Sequence, residues 1–211
     1  MRRADKFFAG VVAAAALMFV AGQVFAANLV SNPGFDTGDL TGWSAGGVAS
    51  GATITVIPTG GNPGDYAWLN NTLEPSNLYL YQATAAGSAV GAGLTVSYSF
   101  DLLGGNQAAG GVDYIHIEDE NASGGVIGQT ILGPYFPSAS GWTPYSGTYT
   151  TVANSDHMYV EFDASTGANA GSTDQMGVDN VVLSVVPEPT TLTLVALGMV
   201  GAVLGLRKRR A

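Results

Sequence analysis

Between residues 94 and 102 the chain alternates without a break. Leu94, Val96, Tyr98, Phe100 and Leu102 take one side, while Thr95, Ser97, Ser99 and Asp101 take the other. A period of two puts successive side chains on opposite faces of a strand, so this stretch predicts a central strand with one face in a core. Shorter runs repeat the pattern. Ile54 and Val56 share a side in residues 52–57, Ile115 and Ile117 point inward in 112–118, and Met158, Val160 and Phe162 share a side in 157–163. Residues 66–69, 78–82, 126–132, 142–151 and 177–185 are further strand candidates, separated by Gly, Pro, Asn and Ser. No segment before Pro187 has a helical period. Eight or nine short strands at roughly ten-residue spacing predict an all-β fold, an antiparallel β-sandwich.

The two ends break this pattern. Arg2, Arg3 and Lys6 precede an apolar run over residues 7–21, and Val24-Phe25-Ala26 offers small residues where a signal peptidase reads. Residues 1–26 are therefore expected to be a cleaved signal peptide, which leaves 27–186 as one β-sandwich domain. At the other end Pro187-Glu188-Pro189 leads into an apolar run over 190–206, closed by Arg207, Lys208, Arg209 and Arg210. At about 1.5 Å per residue the run reaches the lower limit for a single transmembrane helix across ~30 Å of hydrocarbon. The basic cluster would stay on the cytoplasmic side.

This tail resembles the PEP-CTERM sorting signal, whose parts are a Pro-Glu-Pro motif, a short apolar helix and a terminal basic cluster. The resemblance covers residues 187–211. It implies processing by the membrane protease exosortase near Pro187, Glu188 and Pro189, in bacteria that export exopolysaccharide. The expected route is export, an inner-membrane intermediate held by the C-terminal helix, then the cell surface or extracellular matrix.

Charge narrows the function classes. The chain has seven basic residues, and all lie in the two end segments; between Ala27 and Val186 there is no Lys or Arg. Sixteen acids less Asp5 and Glu188 leave fourteen in that span. Nothing there would neutralise phosphates, so nucleic-acid binding is excluded. No cysteine is present, which removes disulfides and thiolate metal sites. An inward carboxylate can be satisfied only by a hydrogen bond, a proton or a metal. Asp179 is such a group if the last strand alternates, because it then shares a side with Val181, Leu183 and Val185.

Asn32-x-Gly34-Phe35-Asp36-x-Gly38-x-x-x-Gly42-Trp43 resembles the opening of jelly-roll modules with the galactose-binding-like fold, many of them carbohydrate-binding modules. Asp179-Asn180-Val181-Val182-Leu183 resembles their closing strand. The modules usually carry Glu where this chain has Asp36. The resemblance implies that first segment and last strand meet and hold a structural Ca²⁺. By position its ligands would be the Asp36 and Asp179 side chains with backbone carbonyls near Asn32 or Gly34, hard oxygen donors that suit this ion. The other reading is that Asp179 accepts backbone N–H groups at a strand end.

Trp68, Tyr79, Tyr81, Trp142, Tyr145 and Tyr149 could form an aromatic platform for an extracellular polysaccharide, with Asn70, Asn71, Asn77 and Gln82 beside it. They could equally be core and cross-strand aromatics, as Trp43 is expected to be. Glu118, Asp119 and Glu120 read as a solvated turn, although two of them could make a glycosidase pair. His116 and His157 lie on polar faces without a nucleophile partner, and no hydrolase, metalloprotease or phosphate-loop motif occurs. The chain is thus expected not to be an enzyme. The function expected is structural or adhesive, within an exopolysaccharide matrix or biofilm; a module for one defined glycan is the alternative, and a secreted hydrolase the weaker one.

Overall fold

A computed structural model describes residues 27–186; the expected signal peptide and C-terminal helix lie outside the described residues. The described residues form ten strands: β1 (Ser44–Gly46), β2 (Ala52–Gly61), β3 (Gly64–Asn71), β4 (Ser76–Ala83), β5 (Thr95–Gly104), β6 (Val112–Glu120), β7 (Val126–Tyr135), β8 (Thr143–Thr150), β9 (His157–Thr166) and β10 (Asp174–Val185). They form two five-stranded antiparallel sheets, in the orders β1-β4-β9-β6-β7 and β2-β3-β10-β5-β8. Among the described residues no helix is long and apolar enough to cross a membrane.

The alternating pattern sets both inner faces. β5 lies between β10 and β8 and buries Val96, Phe100 and Leu102. Met158, Val160, Phe162 and Ala164 of β9 and Ile115 and Ile117 of β6 meet them from the other sheet. Phe35 and Trp43 of the first segment close the core: Trp43 lies 5.4 Å from Phe35 and 6.1 Å from Phe162 between ring centroids. Its indole N–H donates to the Asn32 carbonyl at 3.1 Å.

The first segment and last strand do meet. Leu29 N–H donates to the Leu183 carbonyl at 2.7 Å, and Val181 N–H to the Pro33 carbonyl at 2.9 Å. Asn28 adds a side-chain clamp, accepting from Leu183 N–H and donating to the Val181 carbonyl.

Two expectations change. Residues 118–120 are not a solvated turn: they complete β6, and Glu118, Asp119 and Glu120 are all buried. β10 does not alternate uniformly either. Its pairing with β5 slips by one residue between Asp179 and Val182, and Asn180 has a φ of 52°. Before this bulge Met176 and Val178 face the core; after it Val181 and Leu183 do. A bulge inserts one unpaired residue and reverses the side-chain phase. Asp179 is therefore buried, as alternation suggested, but under the first segment and the β2–β3 turn rather than in the apolar interior.

Candidate functional site

The bulge gathers carboxylates at one end of the sandwich. A side chain at Gly34 would meet Asp179 Oδ1 and Asp36 Oδ2, each 3.5 Å from the added carbon. From the β2–β3 hairpin a Cβ added at Gly64 would stand 3.3 Å from Asp36 Oδ1, and one added at Gly61 would stand 2.9 Å from Asp179 Oδ2. A side chain at Gly61 would clash with the Asp65 and Gly64 carbonyls and with Asp179, and the φ of 94° at Gly64 favours glycine, whereas Gly34 only borders the two carboxylates at ordinary contact distance. Asp101 faces Asp179 across the β5–β10 pair, and its Oδ2 accepts from the side-chain amides of Asn62 and Asn180.

Asp179 is fully buried, and burial pushes its pKa up, with Asp101 and Asp36 adding repulsion. Hydrogen bonds from Asn62 N–H at 2.6 Å and Asn180 N–H at 2.7 Å act against that shift. Asp36, Asp179 and Gly34 thus come together. The Asn32 carbonyl accepts from both Phe35 N–H at 3.3 Å and Trp43 Nε1–H at 3.1 Å. Sequence reasoning missed Asp101 and the turn glycines, which reach the site only through strand order.

The aromatic residues do not form one platform. Trp68 and Trp142 lie with Tyr66 on the outer face of the β2-β3-β10-β5-β8 sheet, where the Tyr66 ring stands edge-on to both indoles. Tyr145 and Tyr149 turn inward: Tyr145 packs 4.4 Å from Tyr135 and 5.8 Å from Phe100, and Tyr149 donates to Asp119. Asn71 and Gln82 are buried and bond backbone groups.

Tyr79 and Tyr81 of β4 remain, on the outer face of the other sheet. There Tyr159 of β9, which the sequence reading passed over, joins them. Ring centroids are 5.9 Å apart for Tyr79–Tyr81 and 5.4 Å for Tyr81–Tyr159, with interplanar angles of 37° and 31°. These shallow angles keep three partly exposed rings close to one surface. The first ring lies over Gly46 of β1, where any Cβ would stand 2.1 Å from Tyr79 Cε2. Tyr159 O–H donates to Glu161 Oε2 at 2.7 Å, and burial with this carboxylate raises the Tyr159 pKa. Further along the face come Asp163 of β9 and Tyr114, His116 and Glu118 of β6.

The C-terminal reading has a direct match: residues 185–210 fit the PEP-CTERM protein-sorting motif model. The chain carries this sorting signal. Such a motif indicates an exported, exosortase-processed protein destined for the cell surface. Among curated proteins none matches the sequence. The β-sandwich is similar to the xylan-binding CBM22-1 domain of Paenibacillus barcinonensis Xyn10C, at 14% identity and a TM-score of 0.52, over 77% of this chain and 97% of that one. It also resembles the Clostridium thermocellum xylanase 10B CBM22-1–GH10 modules at 15% identity and TM-score 0.54, covering 76% of this chain and 29% of that one. Bacteriophage CBA120 tailspike protein 4 gives 12% and 0.56, covering 75% and 21%. The chain thus spans less than a third of the two longer structures. At these identities the likeness establishes the fold: a sandwich like that of carbohydrate-binding modules.

Proposed function

We propose that this is an exported surface protein whose sandwich binds a neutral polysaccharide on the Tyr79–Tyr81–Tyr159 face. The three adjacent rings, close to one surface and backed by Gly46, carry the reading. Flat apolar rings supply contact area for a sugar, and nearby carboxylates such as Glu161 accept its hydroxyl protons. A domain with fourteen acids and no Lys or Arg repels uronates and sulfated chains, which selects for uncharged glycans. The fold likeness to a xylan-binding domain supports the same class. Retained near the membrane through its apolar C-terminal segment and then processed by exosortase, the protein would tether matrix polysaccharide, an adhesive role. The contiguous acids of β6 do not favour a hydrolase, since Asp119 and Glu120 are tied to internal donors.

The test is affinity electrophoresis of the exported protein, its ends fixed by intact mass, through gels containing neutral β-glycans or alginate. Retardation by a neutral glycan, weakened at least tenfold in Tyr81→Ala and Tyr159→Ala, is expected. Equal retardation of these variants, or retardation by alginate alone, would overturn the reading.

At the other site the Asp36 and Asp179 carboxylates, which both border Gly34, would hold a structural Ca²⁺ as hard oxygen donors. The ion would offset the repulsion at the bulge and link the first segment to the last strand. At a hundredfold excess over Kd it adds about 2.7 kcal/mol, or roughly 5–10 °C in Tm for a domain of this size. Calorimetry should show Tm falling in EDTA and recovering in Ca²⁺ at constant ionic strength. The response should vanish in Asp179→Asn and persist in the exposed-site variant Glu74→Gln. An identical Tm in EDTA and millimolar Ca²⁺ would rule the ion out.

A further inference from the structure

Beyond the tyrosine rings the same outer face holds three groups of another chemistry. His116 of β6 is paired with Glu161 of β9, and Asp163 lies two residues along β9 on the same side. Opposite and diagonal neighbours on one face of an antiparallel pair are within reach of each other. One imidazole nitrogen and one oxygen from each carboxylate all lie within 4.8 Å of one another. Asp163 supplies an independent sign of a missing ligand. It is 6% exposed, and its Oδ1 has no hydrogen-bond partner. A buried carboxylate oxygen left alone is costly, and this chain has no Lys or Arg between Ala27 and Val186 to approach it.

We propose that His116, Glu161 and Asp163 bind a divalent transition-metal ion of the Zn²⁺ type. An imidazole among the donors directs the site away from Ca²⁺ and toward first-row transition metals. Three protein ligands leave a coordination position for water or a ligand hydroxyl, as in open zinc sites. Bonds of about 2.1 Å would draw tetrahedral donors to about 3.4 Å apart, so the side chains close modestly around the ion. His116 and Glu161 are only partly buried, which gives the ion a path from solvent. The surrounding groups already orient two of the ligands. Tyr159 O–H holds Glu161 Oε2 at 2.7 Å, and Glu118 Oε1 lies 3.4 Å from His116 Nδ1. Such supporting contacts set ring orientation and ligand basicity at metal sites. The other histidine lacks this freedom: His157 has Glu120 at 2.8 Å from Nε2 and Asp156 at 3.0 Å from Nδ1. The site shares Glu161 with the proposed glycan face, but metal binding is read without any glycan and does not involve the Ca²⁺ junction.

The exported protein, stripped by chelator and then saturated with Ca²⁺, is titrated with Zn²⁺ by calorimetry and with Co²⁺ by visible absorption. One equivalent of Zn²⁺ and ligand-field bands from bound Co²⁺ are expected. His116→Gln and Glu161→Gln should lose at least tenfold in affinity, and His157→Gln should retain it. Asp163→Asn separates ligation from folding: it should abolish the Zn²⁺-induced rise in Tm yet melt no lower than the native protein in EDTA, because it removes an orphaned charge. Binding of less than one equivalent, a loss of less than tenfold in His116→Gln, or an Asp163→Asn protein that still gains Tm with Zn²⁺ would each overturn the proposal.

Discussion

Asp119→Ala is expected to cost the domain on the order of 3–5 kcal/mol, because it strips a buried carboxyl group from several donors at once, at about 1–3 kcal/mol for each donor left unpaired. Asp119 is fully buried at the end of β6. Its Oδ2 accepts from Val152 N–H at 2.7 Å and Tyr149 O–H at 3.2 Å, and its Oδ1 faces Ser155 Oγ at 2.9 Å. The contacts lie about thirty residues away in sequence, so this carboxylate fixes the β8–β9 connection against β6. Alanine leaves the Val152 and Tyr149 donors unpaired beside a small void. At about 2–4 °C per kcal/mol for a domain of this size, Tm should fall by roughly 6–20 °C.

Asp119→Asn should behave differently. Ser155 has one hydroxyl proton for two acceptors, Asp119 and the Ala89 carbonyl. An amide at 119 can donate to Ser155 Oγ, freeing that proton for Ala89, while its oxygen still accepts from Val152. The loss should stay near 1 kcal/mol. Urea melts of the three proteins measure both effects. An alanine variant within 0.5 kcal/mol of the native protein would show that the carboxylate is not the anchor.

Much of the sandwich was legible because period two reports which side of a strand is wet. β5 and β9 have the longest clean alternations, and their core positions followed directly. The three-residue β1, Ser-Ala-Gly, carries no period and was invisible. Alternation also fails at a bulge, since an inserted residue reverses phase; that is why Asp179 was placed with Val181 and Leu183 although it lies on the other phase from Val178. The candidate sites were harder for a different reason. Period two gives the face of a side chain within its own strand but not the strand beside it. Tyr81 meets Tyr159, and His116 meets Glu161, only through the order β4-β9-β6, whereas Trp68 and Trp142 belong to the opposite sheet. Contiguous acids at 118–120 looked solvated because composition cannot show that Val152, Ser155 and His157 return to meet them.

The stability of the domain is expected to fall as pH rises from about 4 toward neutrality, and a buried acid pair is the main cause. Asp113 of β6 and Asp174 at the start of β10 are both fully buried. Gln107 donates to Asp113 Oδ2 at 2.8 Å; the other three oxygens have no well-aligned amide or hydroxyl donor, and the two carboxyl groups face each other, so a proton on Asp113 can bridge them. Asp163 and Tyr145 are the other titratable groups that feel Asp113, and neither supplies a positive charge. Burial pushes both pKa values above the ordinary 3.8, and the charge of Asp174 pushes Asp113 further. A raised folded-state pKa means that the fold keeps a proton the unfolded chain has released. Stability is then fully present below the unfolded value and declines through the folded one, by about 1.4 kcal/mol per pH unit for each proton retained. Asp39 and Asp156 are held below the ordinary range by hydrogen bonds, so they oppose the trend only at more acid pH. Tm at pH 5 should therefore exceed Tm at pH 7 at constant ionic strength. Asp113→Asn, which replaces the protonated acid by a neutral amide and removes the repulsion, should be more stable than the native protein at pH 7 and should flatten the profile. General repulsion among fourteen acids would also favour pH 5, but it would leave the two profiles parallel. Parallel profiles, or a native Tm that rises from pH 5 to 7, would show that the pair is not the group that titrates.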